Sequence, residues 1–178
     1  MTGDHRLRRH GAALAALSLL LVGTATPANA VEQAFSVERV ENIKHAAASI
    51  AELQIQKGAP AAIAAISDCY DKELETASTV TLGLEACMSQ DIAVSRMASA
   101  VDSRLSPEER AKEGADDPQK RLDAMAERIA NIYKQFGMPD DAMKQFVRTV
   151  NAYGMESYKD TILREMPGAE ESVEGSAQ

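Results

Sequence analysis

"CYDKELETASTVTLGLEAC", Cys69 to Cys87, holds both cysteines of the chain. Its midpoint is Ser78, inside "ASTVT", where the helical patterns on either side require the chain to turn. Each cysteine lies nine residues from Ser78. In an antiparallel helical hairpin rising ~1.5 Å per residue, both therefore sit about 14 Å from the turn, at one height. Equal height favours a bond between them, and an exported chain with two cysteines most often oxidises them to each other. A redox-active pair normally has two intervening residues, and here there are seventeen. A structural zinc needs about four thiolate or imidazole ligands, yet His45 is the only histidine after residue 30. The stretch predicts a disulfide between Cys69 and Cys87 that staples two antiparallel helices.

The surrounding sequence extends the helical pattern. From Ser36 to Lys57, apolar residues fall at Val37, Val40, Ile43, Ala47 and Ile50, with Ser36 suited to the N-cap and Gly58 to the stop. Pro60 fits the first turn of a second helix running to Ala77, with Ile63, Ile66, Tyr70 and Leu74 on one face. A third runs from Thr81 to Leu105 and places Leu84, Cys87, Val94, Ala98, Val101 and Leu105 on one stripe. "SPEE", Ser106 to Glu109, is a capping box that opens a short helix ending by Gly114. Asp116 and Asp117 precede a helix from Pro118 to Phe136, whose Leu122, Met125, Ile129, Ile132 and Tyr133 give the clearest helical period. Two more helices are expected over 140–153 and 156–166. Gly137 and Gly154 both read as left-handed terminators, with Met138 packing back on Tyr133 and Met155 on Val150. The expected fold is all-α, a single-domain bundle of about five to seven helices over residues 31–167. The acidic, apolar-poor tail 168–178 is expected to be disordered.

The first thirty residues have a different character. Arg6, Arg8 and Arg9 precede an apolar run of eleven residues, Ala12 to Val22, and small residues ending in "ANA". That is the layout of a cleavable signal peptide, with cleavage after Ala30. The run is shorter than the roughly 20 residues of a membrane span, so no membrane anchor is expected in the mature form. Arg8 and Arg9 also raise twin-arginine export. The expected location is the periplasm or the exterior.

Removing Arg6, Arg8, Arg9 and Asp4 from 19 basic and 27 acidic residues leaves a net charge of −10 on residues 31–178. Such a surface repels nucleic acid and anionic membranes. His45 lies opposite the apolar stripe of its helix and, with both cysteines committed, leaves no base for Ser-His-Asp or Cys-His catalysis. No CxxCH, glycine-rich phosphate loop or calcium-loop spacing occurs. No catalytic residue, metal ligand or cofactor is expected, and the chain is not expected to be an enzyme.

Asp91 is the exception that invites a site. It falls among Cys87, Val94 and Ala98 on the apolar stripe of the third helix, where a carboxylate is costly without a partner. It reads either as a salt bridge to another helix or as an acid facing a ligand groove, with Met88 and Met97 as further contacts. Methionine thioethers also suit Cu(I), although the closest pair here, Met138 and Met143, is widely spaced and core filling explains them. The paired acids Asp116 with Asp117, and Asp140 with Asp141, read as helix-start charges.

"LEACMSQDIAVSRMASAVDSRL", Leu84 to Leu105, resembles the second-cysteine segment of LprI-like lysozyme-inhibitor domains, small exported helical modules. Cys69 and Cys87 match the two cysteines of that family. Ser95 stands where the family has aspartate, and Met97 and Ala98 replace its Leu-Asn. Small helical periplasmic immunity proteins are similar to about the same degree. The resemblance implies a protein that inhibits or neutralises another protein, and an acidic binder suits a cationic target such as a lysozyme. The expected partner is a cationic protein. Small-molecule or metal-ion binding in the periplasm and a structural envelope role are the alternatives.

Overall fold

The computed structural model describes residues 36–165. The expected signal peptide with its cleavage point, the acidic tail and Met166 lie outside the described residues. Helices α1 (Val37–Lys57), α2 (Ala59–Thr76), α3 (Leu82–Asp102), α4 (Pro107–Glu113), α5 (Pro118–Gln135), α6 (Asp140–Thr149) and α7 (Met155–Glu165) follow one another, with a π-helical turn, Val150–Gly154, between the last two. No strand occurs among the described residues, so the chain is an all-α bundle.

The local stop and start signals act as their chemistry requires. The Ser36 side chain accepts from the Arg39 amide, Gly58 breaks the chain at φ 84°, and Pro60 occupies the first turn of α2. Ser106 and Glu109 exchange both capping-box bonds, and Asp117 accepts from the amides of Gln119 and Lys120. Each satisfies backbone donors that the first helical turn leaves without partners.

Helix α3 is the axis of the bundle, with α1, α2, α5 and the π turn packed around it. It runs antiparallel to α2: Cys69 and Cys87 are disulfide-bonded with Cα atoms 5.6 Å apart, and the Tyr70 hydroxyl reaches Asp91 one turn further on. It also runs antiparallel to α5, through Arg128 with Asp91, the Ser99 hydroxyl donating to the Pro118 carbonyl, and Arg121 with Asp102. Being covered on several sides, α3 buries Leu84, Glu85, Cys87, Met88, Ser89, Asp91, Ile92, Ala93, Val94, Ser95 and Ser99. Its small residues let three helices approach it closely, and the Ser89 hydroxyl donates to the Glu85 carbonyl of its own helix.

The apolar stripes overrun their cover at three places. Val37, Ile63 and Val101, expected inside, are 79 %, 59 % and 53 % exposed. Val37 stands in the first turn of α1, whereas Ile63 and Val101 face outward beside covered neighbours, Ala62 being fully buried and Asp102 paired with Arg121. Helix α3 also stops at Asp102, short of Leu105, where Arg110 reaches back to the carbonyls of Asp102 and Leu105. Helix α4 buries none of its residues.

Gly154 does not terminate a helix. Among the described glycines, positive φ occurs at Gly58, Gly114 and Gly137, and the chain passes from α6 through the π turn into α7 without a break. Gly154 is buried against α1: a Cβ there would stand 3.2 Å from both Ile43 Cγ2 and Val150 Cγ1. The residue is required for close helix approach, which lets α7 lie parallel along α1, held by the Ser157 hydroxyl on the Lys44 carbonyl and by Arg164 beside Glu52. Gly154→Ala brings overpacking on the Ile43 and Val150 methyls, typically about 1–3 kcal/mol, against the ~1 kcal/mol that Ala gains over Gly within a helix, so a net loss of about 1 kcal/mol is expected. The check is a lower urea midpoint with an unchanged slope.

Candidate functional site

Three acids on α3 are held by arginines from neighbouring helices. Asp91 is 3 % exposed, and each of its oxygens has two donors. Oδ2 accepts from the Tyr70 hydroxyl at 3.1 Å and Arg128 Nε at 2.8 Å, and Oδ1 from the Ser95 hydroxyl and Arg128 NH2, both at 3.1 Å. The fork of Arg128 lies bidentate on the carboxylate, the geometry in which arginine holds an acid most firmly. Burial pushes the Tyr70 phenol well above its ordinary range, helped by the adjacent carboxylate and opposed by Arg128. Of the two readings of Asp91, the salt bridge to another helix describes what is present, and its lone pairs are already occupied.

Glu85, also 3 % exposed, is the second. Arg39 of α1 donates from Nε at 2.6 Å and makes an ion pair through NH2. Tyr133 of α5 is enclosed beside this pair without reaching hydrogen-bond geometry with it. Burial pushes the Glu85 carboxyl above the ordinary carboxylate value, and the guanidinium pulls against that shift without cancelling it. The third, Asp102, meets Arg121 at 2.6 Å and is partly open to solvent.

The other residues singled out in the sequence are spread between core and surface. Met88 is fully enclosed, and Met97, Met138, Met143 and Met155 pack against the core, so Met88 presents no surface to a ligand. His45 is exposed. Among the described residues no group of three His, Cys, Asp or Glu could hold a metal ion, and no helix is long and apolar enough to cross a membrane.

A groove that no sequence motif announces runs between α1 and α7. It has a volume of about 530 Å³ and is lined by Lys44, Ala48 and Glu52 from one side and by Tyr153, Glu156, Asp160 and Arg164 from the other. Tyr153 is 47 % exposed, whereas Tyr70, Tyr133 and Tyr158 are buried. The π turn accounts for the difference. One extra residue in a turn rotates the downstream side chains by about 100°, so Val150 and Gly154 face the core and Tyr153 faces out. Tyr158, about one turn further, points inward to donate to Gln54 Oε1 at 2.6 Å, and burial pushes its phenol up to about 12.

The charges along the groove are not equivalent. Lys44 is paired with Glu41, and Arg164 with Glu52 and Glu165. Glu156 and Asp160, four residues apart on α7, make no side-chain ion pair or hydrogen bond among the described residues. Sequence spacing alone could have placed Tyr153, Glu156 and Asp160 on one helical face, but only with the helix continued through Gly154. No protein-family model, no curated protein and no solved structure matches this chain.

Proposed function

We propose that the protein is an exported, non-catalytic helical module that acts by binding a cationic protein, in an inhibitor or immunity-type role in the bacterial envelope. The observation that carries this reading is the distribution of charge between inside and outside. Arg39, Arg121 and Arg128 are consumed by Glu85, Asp102 and Asp91 of α3, so three of the chain's cations are neutralised internally. Among residues 36–165, 22 acids stand against 16 Lys and Arg, and with these three pairs neutralised that excess of six is carried by the solvent-facing surface. A negative field of that kind accelerates encounter with a positive partner and rejects acidic ones. The disulfide is compatible with an oxidising compartment, and the resemblance of Leu84 to Leu105 to lysozyme-inhibitor modules supports a cationic hydrolase as the target class.

The test is cross-linking of the protein in its native envelope, followed by mass spectrometry of what it holds. A basic protein is expected, in a complex that weakens as salt is raised because exposed charges are screened. Recovery of no partner, or of a complex indifferent to salt, would remove the reading.

A further inference from the structure

We propose that the groove between α1 and α7 seats a basic segment of that partner, with a lysine or arginine side chain laid on Tyr153 and against the carboxylates of Glu156 and Asp160. The assignment rests on the reading of the protein as a binder of cationic proteins and adds the place where it binds. Three features of the groove agree. Its aromatic ring is turned outward by the π turn, and an exposed tyrosine face attracts a cation. Its own cations, Lys44 and Arg164, are already paired within the protein. The two acids left over stand at i and i+4 on α7, where like charges repel and an arriving cation relieves both at once.

Charge also selects the occupant. The chain beyond Glu165, "MPGAEESVEGSAQ", carries three glutamates and no cationic side chain, and "VEQAF" at 31–35, which begins the chain once the proposed leader with Arg6, Arg8 and Arg9 is removed, carries one glutamate and no cationic side chain. Neither complements the groove. A second copy of the chain brings a net negative charge to a face that already has one. A basic segment of a different protein is the occupant that the unpaired groups fit.

The experiment is a titration of the isotope-labelled protein with a short arginine-containing peptide and with its citrulline counterpart, which keeps the shape and removes the charge. Amide shifts are expected on α1 between Lys44 and Glu52 and on α7 between Tyr153 and Arg164, with none from the citrulline peptide. The double variant Glu156→Gln, Asp160→Asn and the single variant Tyr153→Ala are each expected to weaken binding roughly tenfold, whereas Tyr153→Phe keeps the ring face and binds normally. All three side chains are exposed, so circular dichroism of each variant should match the parent. The pair Glu108→Gln, Glu113→Gln on α4, a helix that buries nothing and lines no part of the groove, should leave the pattern of amide shifts unchanged and weaken binding far less than the groove variants. Shifts that map to α4 or scatter over the surface overturn the groove and leave the binder reading intact. Binding that survives loss of both carboxylates also overturns it. No response to the arginine peptide anywhere overturns the groove, while the binder reading stands or falls with the cross-linking experiment.

Discussion

Arg39→Met is expected to lower stability at pH 7 by roughly 3–5 kcal/mol, because it leaves Glu85 buried with no cation. The side chain of Glu85 is only 4 % exposed, and Arg39 supplies its hydrogen bonds from two nitrogens. The abandoned carboxylate escapes the full cost of a buried charge by taking up a proton. Moving from an ordinary value of 4.5 to pH 7 makes that escape cost about 1.4 kcal/mol per unit, about 3.4 kcal/mol in all. Lost packing of the arginine stem adds to it.

The pH dependence distinguishes this mechanism from simple loss of packing. Glu85 holds its proton more tightly in the folded protein than in the unfolded chain, so its contribution to stability falls as pH rises above 4.5 and returns on acidification. In the parent the guanidinium keeps that effect small. In Arg39→Met the deficit should shrink by about 1.4 kcal/mol for each unit between pH 7 and pH 5. Adding Glu85→Met should recover most of the loss at neutral pH and abolish the slope, since two apolar groups replace a pair that was costly to desolvate. Urea unfolding of the three proteins at several pH values measures both quantities. A deficit that stays constant with pH would mean that Arg39 stabilises by packing alone.

Features that act locally are legible in the sequence, and those that depend on distant neighbours are not. Ser36, Pro60, the Ser106–Glu109 box, Asp117 and Gly137 act within a few residues of themselves, so composition and spacing locate the helices that they bound. The symmetric placement of Cys69 and Cys87 about Ser78 is of the same kind, and the bond joins them at a 5.6 Å Cα separation. Gly154 has two uses that look identical in sequence, a left-handed stop and a close approach. Ile43 and Ala47, more than one hundred positions earlier, decide between them.

Glu85 is instructive for the opposite reason. A single apolar stripe puts it at the flank of α3, yet Met88 and Ile92 at i+3 and i+7 form a second stripe on its side. Two stripes on one helix signal a helix covered on two sides, and hence a buried acid in need of a cation. Asp91 is legible as a polar gap, but its partner Arg128 lies 37 residues away on α5. The groove is less visible still, since it exists only because α7 lies parallel to α1.

Reduction of the Cys69–Cys87 bond is expected to lower stability by about 3 kcal/mol while leaving the bundle folded. The bridge joins residues separated by 18 positions, and its main effect is on the unfolded chain, which without it gains conformations that the folded state never visits. In the folded state the same hairpin is held by other contacts. Tyr70 donates to Asp91 one turn beyond the bridge, and the Glu73 carboxylate lies over Gly83 at the start of α3, beside the Thr81 hydroxyl. Cys87 is fully enclosed and Cys69 is partly exposed, so reductant approaches the bond from the Cys69 side, and reduction should be faster in urea, where the hairpin opens. Two features of the unfolding curve separate the mechanisms. If the bridge restrains the unfolded chain, the reduced protein exposes more surface on unfolding, so its midpoint falls and its urea slope rises. If the bridge acts through native packing, the midpoint falls with the slope unchanged. Thiol titration of the unfolded, unreduced protein should find no free cysteine, and two reactive thiols in freshly isolated protein would refute the staple.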